Sequence, residues 1–176
     1  MIELSPIVAC ICEGGAETAI IDMLVDNELL KFSREQMLNE EVIRCRGGKE
    51  FEQRYLRKSF ESKITVLRVL DSHSEGFRLN KAYEYKVDVI NVVTAPEIEM
   101  LIILAEGKYK EYMKKSSSVS PSTFCKQDLK MKGNIKSQEF VREYFSDINL
   151  LINSIHEYKR VKNLKRGEIY LADLLK

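Results

Sequence analysis

The sequence predicts an α/β fold: a mainly parallel four-stranded sheet flanked by helices, with a helical C-terminal extension. Three observations carry this. Short apolar runs recur at 6–13, 64–70 and 87–93. Stretches with apolar residues at helical spacing follow or separate them. Two of the runs end in an acidic residue, where a parallel sheet gathers its strand ends at one edge.

The first run, Ile7-Val8-Ala9-Cys10-Ile11-Cys12, reads as a fully buried strand and ends at Glu13. Gly14-Gly15 makes the turn into a helix over 16–27, with Ala19, Ile20, Met23 and Leu24 on one face. Val42-Ile43-Arg44-Cys45 is a candidate second strand, followed by Gly47-Gly48 and a helix over 50–60 that turns Phe51, Tyr55 and Leu56 inward. The 64–70 run is a strong strand. Residues 72–84 read as a loop and a short helix. Val87, Val89, Val92 and Val93 give the next strand its β-branched bulk. Thr94-Ala95-Pro96 ends it and opens a long helix over 96–114, with Pro96 in the first turn, where its missing N–H costs nothing. The serine-rich stretch 116–121 reads as a linker. Helical patterns follow at 137–145 and 147–162, and 168–175 is a short apolar piece with the pattern of either helix or strand. The division expected is an α/β domain over 1–115 and a basic, mainly helical extension over 116–176 packed on it.

At 176 residues and 44% hydrophobic, the chain can bury a sizeable core. No run approaches the roughly 18 apolar residues that span a bilayer, and no leader pattern opens the chain. The expectation is a cytoplasmic protein without a membrane partner. Cys10 and Cys12 share one face of a strand and read as small buried hydrophobes. Neither they nor Cys45 and Cys125 have zinc or redox spacing.

Net charge is +1, unevenly placed: residues 108–166 carry +8 and the remainder −7. An acidic body with a basic region suits a protein that holds cations in one part and phosphates in another. Solvated lysine-rich helix faces give the same pattern.

The acidic candidates sit at one predicted sheet edge. Glu13 ends the first strand, Asp71 ends the 64–70 strand with His73 two residues on, and Glu97 and Glu99 open the helix after Pro96. Carboxylates so placed suit a hard cation, which takes oxygen ligands. From spacing alone, acids also end strands and favour helix N-termini, the simpler role for Glu17 in the first turn of its helix. His73 suits a ligand, a general acid or base, or a surface hydrogen bond, and His156 reads as solvated. No G-x-G-x-x-G, P-loop or G-x-S-x-G pattern is present. Without a phosphate loop, an enzyme of phosphorylated metabolites is disfavoured. Tyr109, Tyr112, Phe124, Tyr144, Phe145 and Tyr158 are interleaved with lysines, a pattern that stacks bases and holds phosphates; Tyr144-Phe145 also fits a core pair.

Cys12-Glu13-Gly14-Gly15-Ala16-Glu17, Val69-Leu70-Asp71-Ser72-His73 and Ala95-Pro96-Glu97-Ile98-Glu99 follow in the order of an E-G-x-x-E turn, a D-x-D-like strand end and a helix start that carries Pro, then an aromatic or aliphatic residue, then Glu. In this the chain resembles a TOPRIM-type domain of the bacterial defence-associated RloB-like and OLD-type nuclease families, over roughly residues 6–114. The resemblance implies a metal-dependent nuclease acting on nucleic-acid phosphodiesters with Mg²⁺ or Mn²⁺, in anti-phage defence or abortive infection beside an ATPase partner. It implies Glu13 as metal ligand or general base and Asp71 as metal ligand, with His73 assisting and Glu17 and Glu99 completing the acidic pocket. Lys108, Lys110, Lys114, Lys115, Lys130 and Lys132 would track a DNA or RNA backbone. His73 stands where the second acid of D-x-D falls, and its softer nitrogen leaves open a Mn²⁺ preference, a single metal, or a catalytically degenerate binding or regulatory subunit.

Overall fold

The computed structural model describes residues 2–45, 47–70, 76–93, 98–165 and 167–176. Among them, four strands form one parallel sheet in the order β1 (Ile7–Cys12), β2 (Ile64–Leu70), β3 (Val87–Val93) and β4 (Glu168–Tyr170). The α/β architecture, with helices on the sheet and a helical C-terminal region, is the one expected.

β2 is central and buried along its whole length, which is why its sequence is almost continuously apolar. Side chains alternate between the two faces. Cys10, Cys12, Leu67, Val69 and Val92 enter the larger core, and Ala9, Ile11, Ile64, Val66 and Val87 a smaller one with Phe51 and Leu56.

The larger core is covered by α1 (Gly15–Asp26), α4 (Ile98–Ala105), α6 (Pro121–Gln127), α7 (Gln138–Tyr144) and α8 (Ile148–Val161). α4 is apolar all round except for Glu99, as befits a helix packed between others. The opposite face carries α2 (Gly48–Phe51), whose last turn widens into a π-helical Glu52–Leu56. α3 (Lys81–Glu84) and α5 (Tyr109–Lys115) are short connectors.

Three elements differ from the sequence expectation. Residues 42–45 do not form a strand: Ile43 makes only an isolated parallel bridge to Ile11. The Ile43 N–H donates to the Cys10 carbonyl at 2.8 Å, and the Cys12 N–H to the Ile43 carbonyl at 3.1 Å, so this segment covers the outer edge of β1. The fourth strand comes from the C-terminal piece, which is strand over Glu168–Tyr170 and then a 3₁₀ turn over Leu171–Leu174.

The long helix after β3 is two helices. Gly107, at φ +66°, ends α4 in a Schellman closure, with Gly107 N–H to Leu104 O and Lys108 N–H to Ile103 O, both 2.9 Å. The serine stretch ends as a helix start: Ser120 caps α6, its hydroxyl accepting from the Thr123 N–H at 3.1 Å, with Pro121 in the first turn. Cys10, Cys12, Cys45 and Cys125 are free and buried. No helix among the described residues is long and apolar enough to cross a membrane.

Candidate functional site

Parallel register fixes what meets at the carboxyl edge of the sheet. Cys12 pairs with Val69, and Val69 with Val92, so β1, β2 and β3 end at nearly one level. Glu13 leaves the sheet there and is exposed. Thr18 closes the turn behind it, its N–H and hydroxyl both donating to the Gly14 carbonyl at 3.3 and 2.9 Å.

Gly14 is there for close approach. A Cβ on Gly14 would sit 2.3 Å from Glu17 Oε2, so the bare backbone lets the Glu17 carboxylate fold back over the turn. Glu17 is only 7% exposed and sits at the third helical position, from which an acid reaches back toward the helix start. A Cβ on Gly15 would lie 3.5 Å from the Lys136 carbonyl and 3.3 Å from Gln138 Cγ. Residues 136–138 therefore press on the start of α1.

The same segment reaches α4. Lys136 Nζ stands 3.6 Å from Glu99 Oε1. The Glu99 side chain is fully buried, and neither carboxylate oxygen has a hydrogen-bond partner among the described residues. Lys136 is held in place by its own surroundings. Asn134 Oδ1 accepts from the Lys136 N–H at 3.2 Å, buried Ile135 anchors the loop, and Ser137 caps α7. The sequence expectation missed Lys136. The Gly133-Asn134 turn and the Ser137 cap were visible signals of an ordered loop, but not of its target.

A pocket of about 280 Å³ lies beside Glu13, lined also by Cys12, Arg44, Cys45 and Glu50. Arg44 reaches it because 37–43 runs along the edge of β1. Its guanidinium is the donor group that phosphates favour, and Glu50 pairs with Arg54 at 2.9 Å. Burial pushes the Cys12 thiol well up, and Cys10, Glu17 and Asp22 push it further. Burial likewise raises Cys45, whose thiol donates to the Gly47 carbonyl at 3.2 Å. Both shifts favour the protonated thiol.

Arg68 is a second residue the sequence left unremarked. It is 5% exposed in β2, its guanidinium 5.1 Å from the Phe77 ring centroid and 3.3 Å from Asn91 Oδ1.

Asp71 and His73 lie outside the described residues, as do Pro96 and Glu97. Among the described residues, no three His, Cys, Asp or Glu side chains converge into a metal-holding group. His156 is exposed. The six lysines divide in two. Lys108 pairs with Glu111 at 2.7 Å and Lys115 pairs with Asp128. Lys110, Lys114, Lys130 and Lys132 are exposed, with no ion pair to another described residue.

No family model, curated protein or solved structure matches this chain.

Proposed function

We propose that this chain is a metal-dependent nuclease, hydrolysing nucleic-acid phosphodiesters at the carboxyl edge of its sheet. The observation that carries this reading is the Glu99 carboxylate, fully buried at that edge and without a hydrogen bond among the described residues. An ionised carboxylate is costly to bury, and one kept without hydrogen bonds fits a role other than holding the fold.

The donor chemistry suits Mg²⁺ or Mn²⁺, which prefer oxygen ligands. Glu13 would hold the metal together with Asp71, which follows Leu70 at the end of β2. When bound, the metal neutralises phosphate charge and lowers the pKa of water. Around it, Glu17 and Glu99 keep the edge acidic, Arg44 beside Glu13 offers bidentate contact to a phosphate oxygen, and His73 is placed in sequence to move a proton. The exposed lysines supply backbone contacts. The reading extends to a cytoplasmic role in anti-phage defence beside an ATPase partner, on the motif resemblance alone.

The test is cleavage of plasmid DNA, single-stranded DNA and total RNA by the purified protein with Mg²⁺ and then Mn²⁺. Glu13→Gln and Asp71→Asn should each abolish metal-dependent cleavage while the circular dichroism spectrum stays unchanged. Retained cleavage in either variant sinks the assignment.

One observation favours a second reading, a non-catalytic binding subunit. The Lys136 ammonium already stands 3.6 Å from Glu99, where it offsets the carboxylate without a metal. Full biological activity in a Glu13→Gln/Asp71→Asn double variant would select this reading.

A further inference from the structure

The Glu99 carboxylate keeps both oxygens without a hydrogen bond among the described residues, although its side chain is fully buried. It stands in the first turn of α4, where the helix N-terminus favours negative charge but offsets it only in part. The turn itself is pinned, because the Cys125 thiol of α6 donates to the Glu99 backbone carbonyl at 3.7 Å. A buried carboxylate so placed draws whichever cation can reach it.

The chain supplies that cation itself. Lys136 Nζ stands 3.6 Å from Glu99 Oε1, and the lysine side chain is 47% exposed. The separation exceeds the about 2.7–2.9 Å of a charge-assisted hydrogen bond. The contact is therefore one between whole charges, and both carboxylate oxygens keep their capacity to coordinate. A fixed loop delivers the lysine. Gly133 turns it at φ +83°. The Met131 N–H donates to the Cys125 carbonyl at 3.0 Å and the Ser137 N–H to the Asn134 carbonyl at 2.9 Å, with Ile135 buried between them. The half-exposed lysine thus reaches from solvent to a carboxylate with no exposure of its own. Among the described residues no three His, Cys, Asp or Glu side chains group to hold an ion, so an ammonium, not a ring of ligands, faces Glu99.

We propose that Lys136 is a built-in cation of the acidic edge: its ammonium fills the place at Glu99 that a divalent ion would otherwise take. Glu99 is then not a metal ligand in the wild-type chain, and a divalent cation at the edge is left to Glu13 and Asp71. The proposal deepens the metal-dependent reading above, but its test is a gain counted against the wild type, whatever the wild type binds.

The experiment is titration of the purified full-length chain with Mn²⁺, free Mn²⁺ being followed by electron paramagnetic resonance, beside Lys136→Ala, Lys136→Arg, Glu99→Gln and Lys136→Ala/Glu99→Gln. Lys136→Ala removes the ammonium and most of its stem. It should bind one Mn²⁺ more per chain than the wild type, and its melting temperature should rise more steeply with Mn²⁺. Lys136→Arg keeps the charge and should keep the wild-type count. The double variant should return to the count of Glu99→Gln, because the gained ion needs the carboxylate. A lysine with a merely structural role would change stability and leave the count alone. Should Lys136→Ala be unfolded in EDTA, Mn²⁺ should refold it, and failure to do so overturns the proposal. An unchanged count in folded Lys136→Ala, or a gained ion that survives Glu99→Gln, overturns it equally. The two readings fail separately. A wild type that binds no Mn²⁺ beside a Lys136→Ala variant that binds one sinks the Glu13 site and keeps the Lys136 proposal. One Mn²⁺ in both does the reverse.

Discussion

At the scale of single residues, Glu99 and Lys136 pose the sharpest question. Removing one partner of a fully buried ion pair costs about 3–5 kcal/mol, because the other charge is left stranded. Here the lysine is 47% exposed and the carboxylate fully buried, so the two partners behave differently. Lys136→Met strands a buried carboxylate and should cost about 1–3 kcal/mol in urea unfolding, the exposed ammonium being partly screened. Glu99→Gln removes the buried charge and leaves a half-exposed lysine in place. It should lose less than about 1 kcal/mol, or gain stability, while metal-dependent cleavage falls. A Glu99→Gln variant destabilised as much as Lys136→Met would make the pair a structural anchor and leave the acidic-edge reading without its main support. The two halves of this pair were unequally legible. Glu99 stood out by its place after Pro96, whereas Lys136 was one lysine in a basic stretch. Its role is set by the path of residues 136–138, which run against Gly15 at the start of α1.

At the scale of elements, strands and helix stops were legible to different degrees. β2 and β3 matched their expected ends, because an unbroken apolar run has little freedom in where it pairs. Residues 42–45 carried the β-branched signal without the outcome, since Ile43 alone bridges β1; pairing depends on the tertiary path, which local pattern does not encode. The serine-rich stretch 116–121 has the composition of a linker, yet Ser120 with Pro121 is also a cap with its first-turn proline. Gly107 was the overlooked stop. Its φ of +66° is the left-handed geometry that side chains resist, and a Cβ there would meet nothing within 4 Å. Gly107→Ala should therefore cost only the backbone term, about 1–2 kcal/mol in thermal or urea unfolding. A neutral substitution would mean that the α4–α5 junction can be rebuilt as a continuous helix.

At the scale of the whole molecule, charge and topology act together. The core runs without a break from the strands into the C-terminal helices: Phe124, Phe145, Leu151 and Ile155 share it with Val8, Cys10 and Val92. The segment carrying +8 is thus fixed rigidly to the sheet that carries the acidic edge. Formal charge overstates what it offers to a phosphate, because Lys108 and Lys115 are already paired with Glu111 and Asp128. Of the six lysines expected to track a backbone, Lys110, Lys114, Lys130 and Lys132 are the ones without an ion pair to another described residue. If a single strand contacts all four, log Kd should change with log salt by about 0.7 for each, or about 3 in total. Lys110→Ala/Lys114→Ala should then lower that slope by about 1.4, and Lys108→Ala/Lys115→Ala should lower it by much less. Titrating a labelled oligonucleotide across salt concentrations reads all three slopes. Equal losses in the two double variants would show that local ion pairs do not decide which lysines meet the strand. A wild-type slope near zero would remove nucleic acid as the partner of these lysines.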